Sequence, residues 1–284
     1  MTDIIFVCDF FYDGKNFLGG AELTTEAIIS FSNRPVVKIK SQDLTTKFVE
    51  ENSDKQWVFG NFFFIKEDII FQLIKSKISY DVIEYDFKFC EFRNPIVHIR
   101  ETGSCNCSSE MKGKITSLFL NKARRCWFMS EKQKEIYKSN FPFLQDDKMI
   151  VLSSVFKKTT LEKLSSLNKG KNDKYIIFNS DNWLKGTQLS LEFARKNNLK
   201  YEMVSHLSYE QMLIKLSESK GLIFLPNALD TCPRITIEAK ILGCELFLND
   251  KVLHADEEWF SGSIETVCEY LSTNCDKLWS SFDE

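Results

Sequence analysis

The sequence predicts an α/β protein built of two Rossmann-like domains, and three observations predict it. Short runs rich in β-branched and aromatic residues alternate with helix-period segments from one end to the other, which is how parallel strands joined by crossover helices read. At 284 residues the chain is long enough for two domains of ordinary size. A polar, lysine- and serine-rich segment at 157–174 interrupts the alternation and marks a boundary. The domains are accordingly set at 1–155 and 156–284.

The elements follow in order. IIFV (4–7) is a continuous apolar run of the kind that a parallel sheet buries on both faces. A polar loop then leads to Gly20 and the helical stretch AELTTEAIISF. Strands are expected at VVKI (36–39), WVFG (57–60), YDVIEYD (80–86), CWFM (126–129) and MIVL (149–152), with helices around 68–78 and from Ser130. After the polar segment the alternation restarts with YIIF (175–178), YEMV (201–204), GLIFLP (221–226) and ELFL (245–248). Helices between them start at Gly186, with Leu189 and Phe193 on one face, and span 209–216 and 233–242. Gly243 is a helix stop. A last amphipathic helix over 263–278 has Ile264, Val267, Leu271 and Leu278 as its apolar members.

Composition narrows the function. An apolar share of 43% and a charged share of 27% exclude a disordered or low-complexity chain. Lys and Arg total 37 against 40 Asp and Glu, and the net charge of -3 sets up no global field for a polyanion. No nucleic-acid partner is expected. Apolar runs stay well short of the roughly 18 to 20 residues of a membrane helix. Asp9 and Asp13 interrupt the start before an export signal forms, so a cytoplasmic protein is expected. The nine cysteines, odd in number and scattered, fit reduced thiols better than a disulfide framework.

The strongest local feature is DTCPRITIEAKILGC (230–244), directly after the buried strand GLIFLP. Asp230 or Thr231 can cap the helix, and Pro233 sits where a first-turn proline is tolerated. A helix N-terminus at the carboxyl end of a parallel strand is where α/β sheets place ligands, and its free N–H groups favour phosphate. Arg234, one of only seven arginines, lies in that first turn. It is either a phosphate contact or a solvated side chain on a plain strand-to-helix connection. Glu238 follows Asp230 by eight positions; eight helical residues would rise about 12 Å. The ordinary alternatives are an exposed helix glutamate and a simple N-cap.

The pair Asp230 and Glu238, followed by AKILGC and ELFLN, resembles the Glu, seven residues, Glu motif of glycosyltransferase family 4, retaining enzymes of GT-B fold. GGAELTTEAI (19–28) is similar to that family's Gly-Gly-Ala-Glu loop, and LKGTQLSLEFA (184–194) to its Lys-Gly element. Order and spacing extend the resemblance over nearly the whole chain. It implies a glycosyltransferase of two Rossmann-like domains facing a cleft, the first on the acceptor side and the second binding a nucleotide sugar, UDP- or GDP-linked. Gly19 and Gly20 would let the backbone approach a ligand, and Lys185 would reach the diphosphate. Glu238 would hold the ribose and Asp230 the hydroxyls of the transferred sugar. By the same analogy no metal or other cofactor is needed. The acceptor would be a hydroxyl of a glycan, a lipid-linked molecule or a small molecule.

Two departures stand out. The family's arginine five residues before the Lys-Gly lysine is Ser180 here, and Asp230 replaces a glutamate. Arg234 is expected to supply the missing diphosphate cation. An inverting transferase, with Asp86 or Glu101 as base, and a non-catalytic sugar-nucleotide-binding or scaffold protein remain as alternatives. His98, in IVHIRETG, is a catalytic candidate near the donor sugar, against a structural imidazole; Arg100 and Glu101 line the same cleft or pair on the surface. Cys105 and Cys107, with Cys90 and His98, suggest zinc, but C-x-C without a second close pair is not the usual spacing, so free thiols are expected. The basic stretch 121–138 with Trp127 and Phe128 offers peripheral membrane contact or, as the better reading, a buried strand and a solvated helix face.

Overall fold

A computed structural model describes residues 3–12, 19–167 and 170–282. The chain divides into two compact units. Residues up to Ser153, joined by those from Leu278 onward, form the first, and Ser154–Lys277 form the second.

In the first unit the order is β1 (Ile4–Cys8), α1 (Gly20–Ser30), β2 (Val36–Lys40), α2 (Thr46–Glu51), β3 (Gln56–Phe59), α3 (Glu67–Lys75), β4 (Tyr80–Glu84), α4 (Pro95–Thr102), α5 (Met111–Lys122), β5 (Arg125–Phe128), α6 (Glu131–Asn140) and β6 (Met149–Val151). The strands make a six-stranded sheet ordered β2-β1-β3-β4-β5-β6, parallel throughout. β1 and β4 are buried at every position, whereas β2, at the edge, is half exposed. That difference follows from helices covering both faces of the central strands. Phe59, Tyr80 and Phe119 pack as an aromatic cluster, with Tyr80 stacked on Phe119 at 4.6 Å between centroids. The Tyr80 hydroxyl donates to the Phe119 carbonyl at 2.8 Å, so burial leaves it satisfied.

In the second unit the order is α7 (Lys158–Ser166), β7 (Tyr175–Phe178), α8 (Thr187–Lys196), β8 (Tyr201–Val204), α9 (Tyr209–Glu218), β9 (Gly221–Phe224), α10 (Arg234–Ile241), β10 (Glu245–Leu248), α11 (Glu258–Ser261), α12 (Ile264–Thr273) and α13 (Asp276–Ser280), the last of these running on into the first unit. Its sheet is four-stranded and parallel, ordered β10-β9-β7-β8. Tyr175, Ile177, Leu191, Ala194 and Ile223 form its core, with Phe193 and Phe247 packed against it.

Three expectations need correction. The boundary lies at Ser153/Ser154, and the chain end belongs to the first unit rather than the second. Three arginines account for this: Arg124 and Arg125 donate to the Ser281 carbonyl and Arg34 to that of Phe282, while Trp279 donates to the Ile28 carbonyl. The single helix expected over 263–278 is two, broken at Asn274, whose buried amide donates to the Ser154 carbonyl at 3.1 Å. Asp230 and Thr231 do not cap α10; its N-cap is Pro233, without a side-chain cap. The Trp127–Phe128 pair is buried in β5, the structural alternative to membrane contact. No helix among the described residues is long and apolar enough to cross a membrane.

Candidate functional site

Each sheet has one point where the chain reverses its direction of travel, and α/β sheets bind ligands beyond the carboxyl ends of the strands there. In the second unit the chain steps from β7 to β8 and then crosses to β9, so the crevice lies between β7 and β9. The turn Trp183–Lys185 follows β7, and the segment containing Asp230 follows β9. Gly186, at φ 66°, joins that turn to α8, and a Cβ there would stand 1.8 Å from the Leu225 carbonyl oxygen. Only glycine fits. Asn227 completes the clamp: its N–H donates to the Leu184 carbonyl at 3.0 Å and its side-chain amide to that of Trp183 at 2.6 Å.

This clamp brings Lys185 Nζ to 3.1 Å from Asp230 Oδ2, the side chains being 41% and 15% exposed. Asp230 is held from behind, its N–H donating to the Lys251 carbonyl and its carbonyl accepting from Leu253. A solvent-facing ion pair of this kind is worth about 0 to 1 kcal/mol. It can therefore be traded for contacts to a ligand at little cost.

Arg234 and Glu238 form a second pair on α10, with Nε 3.6 Å from Oε1 and side chains only 5% and 3% exposed. The guanidinium also donates to the Val155 carbonyl and lies 3.6 Å over the Phe156 ring. A cation in the first turn opposes the helix dipole; Glu238, one turn on, offsets it. Tyr209 donates to Glu238 at 2.8 Å. Burial raises the Glu238 pKa, with Arg234 and the Tyr209 hydroxyl opposing, and burial likewise raises that of Tyr209. Glu238 is thus not the exposed helix glutamate of the ordinary reading. Arg234, expected at a diphosphate, points inward because three partners in its own unit hold it. Since α10 begins at Arg234, only half of the spacing between Asp230 and Glu238 is helical.

At Ser180, the N–H donates to Thr187 Oγ1 and the hydroxyl accepts from Asn182, so the loop after β7 closes on itself.

In the first unit the reversal lies between β1 and β3. Gly19 is the N-cap of α1, in extended conformation at φ -82° and without a side-chain cap. Neither Gly19 nor Gly20 has positive φ, so left-handed backbone is not why glycine stands there. Asp9, just past β1, accepts from Ser41 and from the N–H groups of Phe63 and Phe64. Beyond β4, Lys88 reaches Glu84 at 2.8 Å and Asp86 at 3.1 Å, and Arg93 pairs with Asp86. Burial would raise the Asp86 pKa, but Lys88 and Arg93 together hold it below the ordinary carboxylate value. Burial pushes Glu84 up to about 7.

His98 is expected, as a catalytic candidate, near the donor sugar. It lies on α4 with Nδ1 3.5 Å from Cys90 Sγ and 3.1 Å from Cys107 Sγ, and its ring is 4.7 Å from that of Phe92. Its surroundings are thiols. Glu101 pairs with Arg100 on the surface at 3.6 Å.

Sequence reasoning missed Tyr209, Val155 and Phe156 as the partners of the α10 pair. One signal was available for Tyr209: Ser208 and Gln211 make a capping box that fixes the start of α9. It also missed His254, fully buried against Trp259 and Phe260, with Nε2 3.2 Å from Thr236 on α10. Burial depresses its pKa to about 3.

No protein-family model and no curated protein matches the chain in sequence. Solved structures do match in fold. HepE (Alr3699) of Anabaena, in complex with UDP and glucose, superposes with a TM-score of 0.57 at 9% identity, over 100% of this chain and 98% of HepE. HepE in complex with UDP-glucose gives 0.52 at 10% identity, over 98% of this chain and 91% of the other. The α/β architecture with parallel sheets of six and four strands matches that of GT-B glycosyltransferase structures.

Proposed function

We propose that the protein is a glycosyltransferase that moves a sugar from a nucleotide-sugar donor to a hydroxyl acceptor, the second unit holding the donor and the first the acceptor. One observation carries the reading. The Lys185–Asp230 pair, at 3.1 Å, stands at the β7–β9 reversal, on a loop that Gly186 alone can form. HepE's complexes with UDP and glucose and with UDP-glucose favour a UDP-sugar as the donor.

The chemistry follows from the pair's exposure. Lys185 exchanges its carboxylate for the donor diphosphate, and Asp230 turns to the sugar hydroxyls. As the bond between the anomeric carbon and the phosphate oxygen breaks, its electron pair stays on the phosphate, and the ammonium stabilises that charge. Glu238, oriented by Tyr209 and Arg234, is assigned the ribose hydroxyls; Arg234 acts through Glu238 as a positioning residue. No divalent ion is assigned to the diphosphate. In the first unit, Gly19 and Gly20 open the α1 N-terminus to an oxygen-rich ligand. Phe10 and Phe64, both exposed and 6.1 Å apart, offer flat apolar faces nearby in sequence to β1 and β3.

We assign retention. The acceptor oxygen attacks on the face that the phosphate leaves, and its proton passes to a phosphate oxygen. An inverting reaction needs a free base, and Asp86 is tied to Lys88 and Arg93. A sugar-nucleotide-binding protein without turnover is the second reading, favoured by Ser180 and by the inward Arg234.

The test is a panel of UDP-, GDP- and ADP-sugars with hydroxyl acceptors in Mg²⁺-free buffer, followed by mass spectrometry for product and its anomeric configuration. Transfer that Lys185→Ala abolishes supports the enzyme. Nucleotide binding by calorimetry without sugar release selects the second reading, and absence of binding to every nucleotide removes both.

A further inference from the structure

Four side chains from three stretches of the first unit converge on one point, in a role that the proposed sugar transfer does not use. Cys90 lies in the loop after β4, His98 on α4, and Cys105 and Cys107 in the turn before α5. Cys90 Sγ is 3.8 Å from Cys105 Sγ and 3.5 Å from His98 Nδ1, and Cys107 Sγ is 3.1 Å from His98 Nδ1. All four ligand atoms lie within 4.8 Å of one another, and the three thiols are free. Zinc takes sulfur at about 2.3 Å and imidazole nitrogen at about 2.0 to 2.1 Å, which at the tetrahedral angle sets ligand atoms about 3.6 to 3.8 Å apart. The three separations of 3.8, 3.5 and 3.1 Å lie within about half an ångström of those values.

The surroundings suit a metal. No residue of α4 is fully buried, and Ile99 is half exposed, so apolar packing does little to hold this helix. The turn that carries Cys107 is pressed onto α5, where a Cβ on Gly113 would come 2.1 Å from the Cys107 carbonyl oxygen. Three thiolates around a divalent ion leave one net negative charge, and the ammonium of Lys112 interacts with Cys90 and Cys107.

We propose that Cys90, His98, Cys105 and Cys107 bind one tetrahedral Zn²⁺ that fastens α4 and the turn before α5 to the end of β4. Thiolate-rich donors select zinc over magnesium or calcium. Four protein ligands leave no open position, so the ion is structural. Binding releases the thiol protons to solvent, and no sulfur is oxidised. The proposal stands whether or not the protein transfers sugars.

The test uses the full chain, reduced anaerobically and passed into zinc-free buffer after purification with zinc present. Elemental analysis should find about one zinc per chain, unchanged in Cys268→Ser and reduced at least about tenfold in Cys105→Ser and His98→Ala. Cys107→Ser, at a buried site, risks misfolding, so the unmutated chain provides a second readout: added Co²⁺ should give the visible absorption of a tetrahedral thiolate complex, displaced by one equivalent of Zn²⁺. An unmutated, reduced chain that takes up neither metal overturns the proposal. So does a disulfide among the three cysteines in the protein as isolated from cells, found by mass spectrometry after alkylation.

Discussion

The two ion pairs of the second unit stand on neighbouring segments, and the fold treats them in opposite ways. Lys185–Asp230 joins two loops at the carboxyl edge of the sheet and keeps its lysine open to solvent. Arg234–Glu238 lies along one helix, sealed under Tyr209, Val155 and Phe156. The first can exchange partners; the second keeps its own, because a buried charge that loses its partner has no water to replace it, so Glu238 meets a ligand with Arg234 and Tyr209 still beside it. The pair suited to ligand charge is therefore the weaker one, and the stronger pair holds the binding edge in shape.

The sharpest way to break this contrast is to truncate the two carboxylates. Glu238→Ala leaves the buried Arg234 guanidinium without its carboxylate, and should cost about 3 to 5 kcal/mol in denaturant unfolding. Asp230→Ala should cost less than about 1 kcal/mol in the same experiment. Equal losses would mean that exposure does not separate the pairs. Lys185→Ala inverts the contrast, with kcat for sugar transfer falling about 10²-fold to 10³-fold while the unfolding midpoint stays within experimental error. A fall in KM affinity with kcat preserved would show that Lys185 holds the donor equally in ground and transition states.

The locked side can also be probed by pH, through His254 beneath α10. Its pKa falls from about 6.5 in the unfolded chain to about 3 in the folded one, so the unfolded state binds the extra proton between those values. Its contribution to stability is complete above pH 6.5 and is lost as pH falls, at up to about 1.4 kcal/mol per pH unit. Glu84, raised to about 7, acts in the opposite sense between about pH 4.5 and 7. Thermal unfolding of His254→Gln alongside the parent isolates the histidine: the parent should lose more stability than the variant on acidification. Parallel pH profiles would show that the imidazole takes up its proton as readily in the folded chain as in the unfolded one. The smallest effect is expected from Ser180→Arg, which adds a cation beside the open pair and should tighten UDP binding a few-fold, by about 1 kcal/mol or less, as measured by calorimetry.

Legibility in the sequence tracked locality. The strands of both sheets were readable because parallel strands are continuous apolar runs, as in IIFV and GLIFLP. The stop of α10 was readable from Gly243, which indeed has φ 69°. Lys185 and Asp230 were each identifiable, and their meeting depends on a turn signal, Gly186, that was in view. The orientation of Arg234 was not, since first-turn position says nothing about Phe156 lying 78 residues earlier in the chain. All four members of the thiol cluster were nameable from the sequence, and only their spacing argued against a metal. Its second close pair is made in space by Cys90 and His98, eight residues apart and one of them on a helix, which linear ligand patterns do not anticipate.

The docked tail bears on the order in which the molecule is finished during synthesis. Ser281 and Phe282, whose carbonyls Arg34, Arg124 and Arg125 hold, leave the ribosome only after the entire second unit has been made. Until then Arg34 keeps Gln56 and Arg124 keeps Asp81, while the bonds to the Ser281 and Phe282 carbonyls and the seat for Trp279 wait to be filled. The N-terminal unit is thus the first to be synthesised and the last to be completed. Removing Trp279, Ser281 and Phe282 would injure the first unit, although in sequence these residues follow the whole of the second.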